Sequence, residues 1–312
     1  MKNRLLPTYI SQEAQSFYSA ATPINQRLDP SDGEAVAALR EEIHGHWATT
    51  VDAIDYPFSL KEQYLGGVRC VRITTEETRS TDSVIMLLHG GAYVFGSPEA
   101  NASSAIALAQ ATGIPVLSVD YRLAPENPYP AALNDSIEVL TSLSRMAGGA
   151  DNVIIVGESA GAGLALSVCL ALRDKGDPMP RALVLISPWG DLERNGDSLT
   201  TLIDADLEFA NVDALYDCAA AYAPITSLAN PLISPVNASL HDLPPLLIQV
   251  GAREILLSDS LRLAYNARAA ATPVDLDVWD GMGHLFHAFP ELPESKQAYR
   301  RIDQFIKEQR LR

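Results

Sequence analysis

Eight short apolar runs punctuate this chain, and between them apolar positions recur at the three-to-four-residue spacing of helices. Val84–Leu88, Val116–Val119, Val153–Val156, Ala182–Ile186 and Leu246–Val250 are apolar almost throughout, which is the pattern of buried strands. Two earlier runs, Tyr56–Tyr64 and Val68–Thr74, flank Leu65-Gly66-Gly67 and read as an antiparallel hairpin that opens the sheet. Val274–Trp279 is the eighth strand. Helical patterns fill the gaps at Asn101–Thr112, Ala131–Met146, from Ala160 to Arg173, Ser258–Ala271 and Glu294–Gln309. Strands alternating with helices predict an α/β protein: an eight-stranded, mostly parallel sheet with helices on both faces.

Two stretches break this rhythm. Residues 1–54 precede any strand and read as amphipathic helices, with Asp29-Pro30-Ser31-Asp32 as the start signal for Gly33 to Trp47. The pattern fits a lid piece and a helix packed on the sheet equally well. Residues 190–240 are acidic, helical around Asp213 to Tyr222 and broken by Pro224, Pro231 and Pro235, and read as a cap insertion. The expected division is an amino-terminal cap segment (1–54), a catalytic domain (55–189 with 241–312) and a cap insertion (190–240).

Composition narrows the class. A formal charge of −16 argues against nucleic acid or an anionic membrane as a partner. Cys70, Cys169 and Cys218 are scattered and form no C-x-x-C, so neither a disulfide framework nor a zinc site is suggested. No signal-peptide core or membrane span stands out, and the expectation is a soluble, cytoplasmic protein. No G-x-G-x-x-G or P-loop follows a strand, so no nucleotide cofactor is expected, and no metal either.

The chemistry collects at strand ends. Val153–Val156 runs into Gly157-Glu158-Ser159-Ala160-Gly161, a G-x-S-x-G between a strand and a helix. Such a turn strains the serine backbone, lifts its hydroxyl above the sheet and aims a helix amino terminus at the same spot. A Gly/Ser-rich tight turn can carry the same letters without chemistry, so the rest of the chain has to supply partners. Val84–Leu88 runs into His89-Gly90-Gly91-Ala92-Tyr93, where paired glycines let backbone N–H groups approach a ligand. After Ser159 come Glu254 and His284, each just past a strand, in the chain order expected for nucleophile, acid and base. Asp259 and His287 are the alternatives, the first inside or capping the next helix, the second one helical turn beyond His284. Asp120 and Arg122 are expected to form a structural ion pair or to brace the glycine loop. A structural hydrogen-bonding role is expected for Glu158, and His44-Gly45-His46 reads as solvated surface.

Taken together, HGGAY at 89–93, DYRLAPE at 120–126, GESAG at 157–161 and DGMGH at 280–284 resemble the hormone-sensitive-lipase-type family of α/β-hydrolases. NPLISP at 230–235 and PPLLIQVGAREILLSDS resemble its bacterial esterase branch, including proteins described as monoterpene ε-lactone hydrolases. The resemblance spans roughly residues 55 to 310. It implies the α/β-hydrolase fold with a helical cap and a carboxylesterase with Ser159 as nucleophile, His284 as base and Glu254 as acid. It also implies an oxyanion hole from the N–H groups of Gly90, Gly91 and Ala160, a small ester or lactone substrate and a homodimer through an edge strand. Arg253 stands where many members have Asp, and Gly283 where a bulky aromatic is frequent. A retained His284 argues against the ligand-binding receptors on this fold, which lose that residue. A lyase or dehydratase working from the same site is the alternative activity.

Overall fold

The structure, a computed structural model, describes residues 6–20, 27–79, 81–206, 209 and 211–310. Residues 1–5 and 21–26 of the amino-terminal segment, and 207, 208 and 210 of the 190–240 stretch, lie outside the described residues.

The strands are β1 (Phe58–Leu65), β2 (Val68–Thr75), β3 (Val84–Leu88), β4 (Val116–Val119), β5 (Val153–Glu158), β6 (Ala182–Ile186), β7 (Leu246–Gly251) and β8 (Val274–Trp279). They form one sheet in the order β1-β2-β4-β3-β5-β6-β7-β8. Only the β1–β2 and β2–β4 pairings are antiparallel, so the hairpin is an edge attached to a parallel sheet. Alternate residues of the apolar runs serve opposite faces. Met86, Leu88, Ile155, Leu183, Leu185 and Ile248 meet α4 (Ala131–Met146), α5 (Ala160–Lys175) and α8 (Leu257–Ala269) on one side. Ile85, Leu87, Ile154, Val184, Ile186 and Leu247 meet α3 (Ala102–Thr112) and α9 (Pro293–Arg310) on the other. A strand buried on both faces has no room for polar alternation, which is why these runs were apolar throughout.

Several element boundaries differ from the expected ones by one or two residues. β5 continues past the apolar run to Glu158, because β3 and β6 keep pairing with it through Leu88↔Gly157 and Glu158↔Ile186. The helix expected to reach Ala271 stops at Ala269, and Ala271 takes φ +57°. α1 (Gln12–Ala20) and α2 (Gly33–Ala48) precede the sheet, and the 190–240 stretch contains α6 (Ser198–Thr201) and α7 (Val212–Tyr222). Asp32 and Asn211 cap α2 and α7 through side-chain oxygens that accept N–H groups of the first turn. Cys70, Cys169 and Cys218 are buried and unpaired. Among the described residues no helix is long and apolar enough to cross a membrane.

Candidate active site

Sheet register brings five strand ends to one edge. Gly157 of β5 stands between Leu88 of β3 and Leu185 of β6, and Gly251 of β7 pairs with Trp279 of β8. His89, Ser159, Ser187, Glu254 and His284 follow these strands, at the carboxyl edge where open α/β sheets receive ligands.

Ser159 links β5 to α5 with φ +53° and ψ −118°. That backbone is unfavourable for a residue with a β-carbon by ~1–3 kcal/mol. Hydrogen bonds hold it there: its N–H donates to the Ile186 carbonyl at 2.8 Å, and its carbonyl accepts from Trp189 at 3.0 Å and Gly163 at 3.2 Å. A β-carbon at Gly157 would overlap the Gly161 carbonyl, and one at Gly161 would overlap the carbonyl oxygens of Leu88 and His89. Both glycines of the motif are therefore required by close backbone approach.

The Ser159 hydroxyl lies 3.1 Å from His284 Nε2, and His284 Nδ1 lies 2.5 Å from Glu254 Oε2. Glu254 is fully buried, and its other oxygen accepts from the Gly251 N–H at 2.6 Å and the Ser187 hydroxyl at 2.9 Å. With a carboxylate at Nδ1, the neutral ring carries its proton there and turns the Nε2 lone pair to Ser159. The two alternatives are engaged elsewhere. His287 Nε2 faces Gln249 Oε1 at 2.9 Å, and burial pushes that imidazole down to about 3. Asp259 accepts the N–H groups of Gly190 and Asp191, both at 2.9 Å, and burial raises its carboxyl to about 7.

The glycine loop packs directly on the elbow. A β-carbon at Gly90 would stand 3.3 Å from both Ser159 Cβ and the Glu158 carbonyl oxygen. Among the described residues neither the Gly90 nor the Gly91 N–H enters a backbone hydrogen bond outside regular elements. The Ala160 N–H opens α5, where no preceding helical turn exists to accept it.

Asp120 and Arg122 form structural ion pairs, the first of the two roles expected of them, and bracing of the glycine loop falls to the residue between them. Asp120 and Arg122 do not pair with each other: Asp120 accepts from Arg69 at 3.0 Å, and Arg122 forms a forked pair with Asp135 of α4. Tyr121, between them, does the bracing. Its hydroxyl donates to the His89 carbonyl at 2.7 Å, and its ring stacks on the His89 imidazole with centroids 4.2 Å apart. Successive residues leaving a strand point in opposite directions, which separates 121 from its two charged neighbours. The expectation for residues 44–46 needs correcting. His46 is exposed, but His44 is half-buried and its Nε2 accepts the Gly96 N–H at 2.7 Å.

Comparison with known proteins gives this arrangement a family. Residues 85–288 match the family described as alpha/beta hydrolase fold. An acetyl-hydrolase of Streptomyces hygroscopicus is 38% identical over 239 residues, covering 76% of this chain and 80% of the relative. An esterase of Acinetobacter venetianus is 36% identical over 250 residues, covering 77% and 79%. A crystal structure of an esterase from the bacterial hormone-sensitive lipase family superposes with a TM-score of 0.86 at 35% identity, covering 96% and 98%. The chain belongs to the hormone-sensitive-lipase-type esterases of the α/β-hydrolase family.

In this α/β-hydrolase the histidine loop is shaped from far away in sequence. Gly283 donates its N–H to the Tyr18 hydroxyl at 2.9 Å, so an aromatic side chain meets this position from α1 rather than from the loop itself. The Arg253 N–H donates to the Met282 carbonyl at 3.0 Å and ties the Glu254 loop to the His284 loop. Residues of the 190–240 stretch also reach the site. The Phe209 ring lies 5.2 Å from the His284 ring, and Tyr222 of α7 stacks on Tyr93 of the glycine loop at 3.8 Å. Arg27 grips Asp217 of α7 at 2.5 and 2.7 Å, which joins the amino-terminal segment to that stretch. Ser187, Tyr18 and Phe209 carry no short-range motif that would have marked them, and Tyr121 lies in DYRLAPE without being singled out from its charged neighbours.

Glu158 lies buried beside the nucleophile with Ser104 as its hydrogen-bond partner, in the structural role expected of it. Burial raises its carboxyl to about 7, against the opposing pull of Ser104 and the His284 charge. A raised acid favours the folded state while protonated, so this contribution fades as pH rises from the unfolded value near 4.5 towards 7. Glu158→Gln is expected to gain stability over the wild type across that window, by on the order of 3 kcal/mol at pH 8 relative to pH 4.5. Urea unfolding of both proteins at the two pH values checks this, and a pH-independent difference would contradict it.

Proposed function

We propose that the protein is a serine carboxylesterase that hydrolyses short-chain acyl esters through an acyl-enzyme on Ser159. The observation that carries this reading is the chain of contacts from the Ser159 hydroxyl through His284 to Glu254, at 3.1 and 2.5 Å. His284 takes the hydroxyl proton as Ser159 Oγ attacks the ester carbonyl, and Glu254 stabilises the resulting imidazolium. The N–H groups of Gly90, Gly91 and Ala160 receive the oxyanion, each such donor contributing ~2.7–4 kcal/mol to the transition state. His284 returns the proton to the departing alcohol, and a water activated by the same ring then frees the acid. The scheme needs no cofactor.

The acetyl-hydrolase among the relatives supports a small acyl group. Residues 1–54 and 190–240 act as a cap over the catalytic domain, a division supported by the Arg27–Asp217 pair and by Phe209 beside His284. The test is a series of p-nitrophenyl esters from acetate to decanoate, with ε-caprolactone as the cyclic ester. The highest kcat/KM is expected at acetate to butyrate, and phenylmethylsulfonyl fluoride is expected to label Ser159, read by peptide mass. A folded protein that hydrolyses none of these, or that takes the label elsewhere, would overturn the reading.

A further inference from the structure

The Gly96 N–H can only donate, so the His44 Nε2 that receives it at 2.7 Å must present a lone pair. In a neutral ring the proton then sits on Nδ1. An imidazolium carries protons on both nitrogens and cannot accept this bond at all.

Gly96 is not an incidental partner. It stands at φ +95°, and a β-carbon on it would overlap the Gly90 carbonyl oxygen and His89 Nδ1. Its Cα is therefore pressed against the Gly90 carbonyl, which also accepts from His89 Nδ1 at 2.8 Å. The Gly90 carbonyl and the Gly91 N–H are opposite ends of one planar peptide unit. Whatever moves the first turns the second. The Gly91 carbonyl in turn accepts from Val94 at 3.0 Å and Phe95 at 2.7 Å, so the whole 90–96 loop is one hydrogen-bonded curl. α2 grips that curl twice. Arg40 donates to the Val94 carbonyl at 2.9 Å and the Ala124 carbonyl at 3.0 Å, with Glu126 paired to it at 3.1 Å. His44, one turn further along the same face, holds Gly96.

We infer that His44 is a positioning residue for ester hydrolysis: its neutral imidazole, through Gly96, sets the peptide that carries the Gly91 N–H, and protonation releases that hold. This rests on the assignment of the Gly91 N–H to the oxyanion hole. The charged groups facing His44 are Arg40 on α2 and Asp120 after β4, and the titratable His89 imidazole, which burial keeps neutral, also faces it. Asp120 is engaged by Arg69, which also pairs with Glu62 and Glu99. Burial and the Arg40 charge hold His44 below the ordinary histidine range, against Asp120. The ring is thus held neutral at pH 7 and takes up its second proton below the ordinary histidine range.

Two variants separate the bond from the titration. His44→Gln offers an amide oxygen to Gly96 and cannot titrate, whereas His44→Leu offers nothing. With p-nitrophenyl acetate between pH 5 and 8.5, the His44→Gln kcat is expected within about twofold of wild type at pH 8, since one neutral acceptor replaces another. His44→Leu is expected to lose roughly ten-fold in kcat with little change in KM, short of the 10²–10³ that follows outright loss of an oxyanion donor. As pH falls through the His44 titration, read by NMR, the ratio of His44→Gln to wild-type kcat is expected to rise, because titration of His284 is common to both and cancels. A flat ratio, or a His44→Leu variant with wild-type kcat, would overturn the inference. Nitrogen NMR of labelled histidine reads the same bond without any turnover: His44 Nε2 should be unprotonated at pH 7.5, and the Gly96 amide shift should follow the His44 titration. A protonated Nε2, or a Gly96 shift indifferent to that titration, overturns the inference even in an active esterase. Failure of the functional reading appears separately, as absent hydrolysis by the wild type.

Discussion

Ser159→Ala is expected to lower kcat/KM for p-nitrophenyl acetate by on the order of 10⁴–10⁶ while the protein stays folded. The hydroxyl faces His284 Nε2 at 3.1 Å, so removing it leaves that base no nucleophile to activate. Residual turnover should come from the backbone N–H groups and substrate binding alone, still ~10³–10⁴ above the rate in water. Stability should barely change. Alanine keeps the β-carbon and thus the same strain at φ +53°, and the bonds that hold the turn are made by the backbone. Steady-state rates measured beside thermal melting of both proteins check the two halves together. A variant that melts with the wild type and keeps a tenth of its turnover would put the nucleophile elsewhere.

Gly161→Ala should act on the fold rather than on a reacting group. The added methyl would overlap two carbonyl oxygens, those of Leu88 and His89, and neither belongs to a flexible side chain. Either α5 or the end of β3 has to shift, at a cost of about 3 kcal/mol or more. The shift falls where Gly90 leans on Ser159, so turnover should collapse along with stability. Gly45→Ala is the matching control. Gly45 lies inside α2 with open space where its β-carbon would be, so alanine there should stabilise by roughly 0.5–1 kcal/mol. Urea midpoints for the three proteins provide the comparison, and equal losses at the two sites would refute the steric argument.

The fold was legible because its main signal is local. A strand buried on both faces must be apolar at successive positions, and the strand-turn-helix at Ser159 is one unbroken stretch of chain, Val153–Lys175. Ser159, Glu254 and His284 were legible as candidates for a related reason: each lies just past a strand end. What escaped is what depends on distant chain. Tyr18 meets Gly283 across 265 residues, and Ser187 reaches Glu254 across 67. His44 and His46 look alike in a polar helix, and only the position of Gly96, 52 residues on, distinguishes them. Asp120 and Arg122 do form structural ion pairs, but their partners, Arg69 and Asp135, stand on other elements and could not be read from the local stretch.

α1 has a consequence for how the protein is made. Ile10, Ala14 and Tyr18 pack against Met282, Phe286, Leu292 and Ala298, and Ser11 is held by both oxygens of Glu294 at 2.8 Å. A helix of nine residues is marginal on its own in water. It emerges from the ribosome well before these partners, with Tyr18 translated 265 residues ahead of Gly283. At ~5–20 residues per second its apolar face has no native surface to cover it for on the order of tens of seconds. Throughout that interval the nascent chain carries an uncovered apolar segment, open to chaperones and to neighbouring chains on the same message.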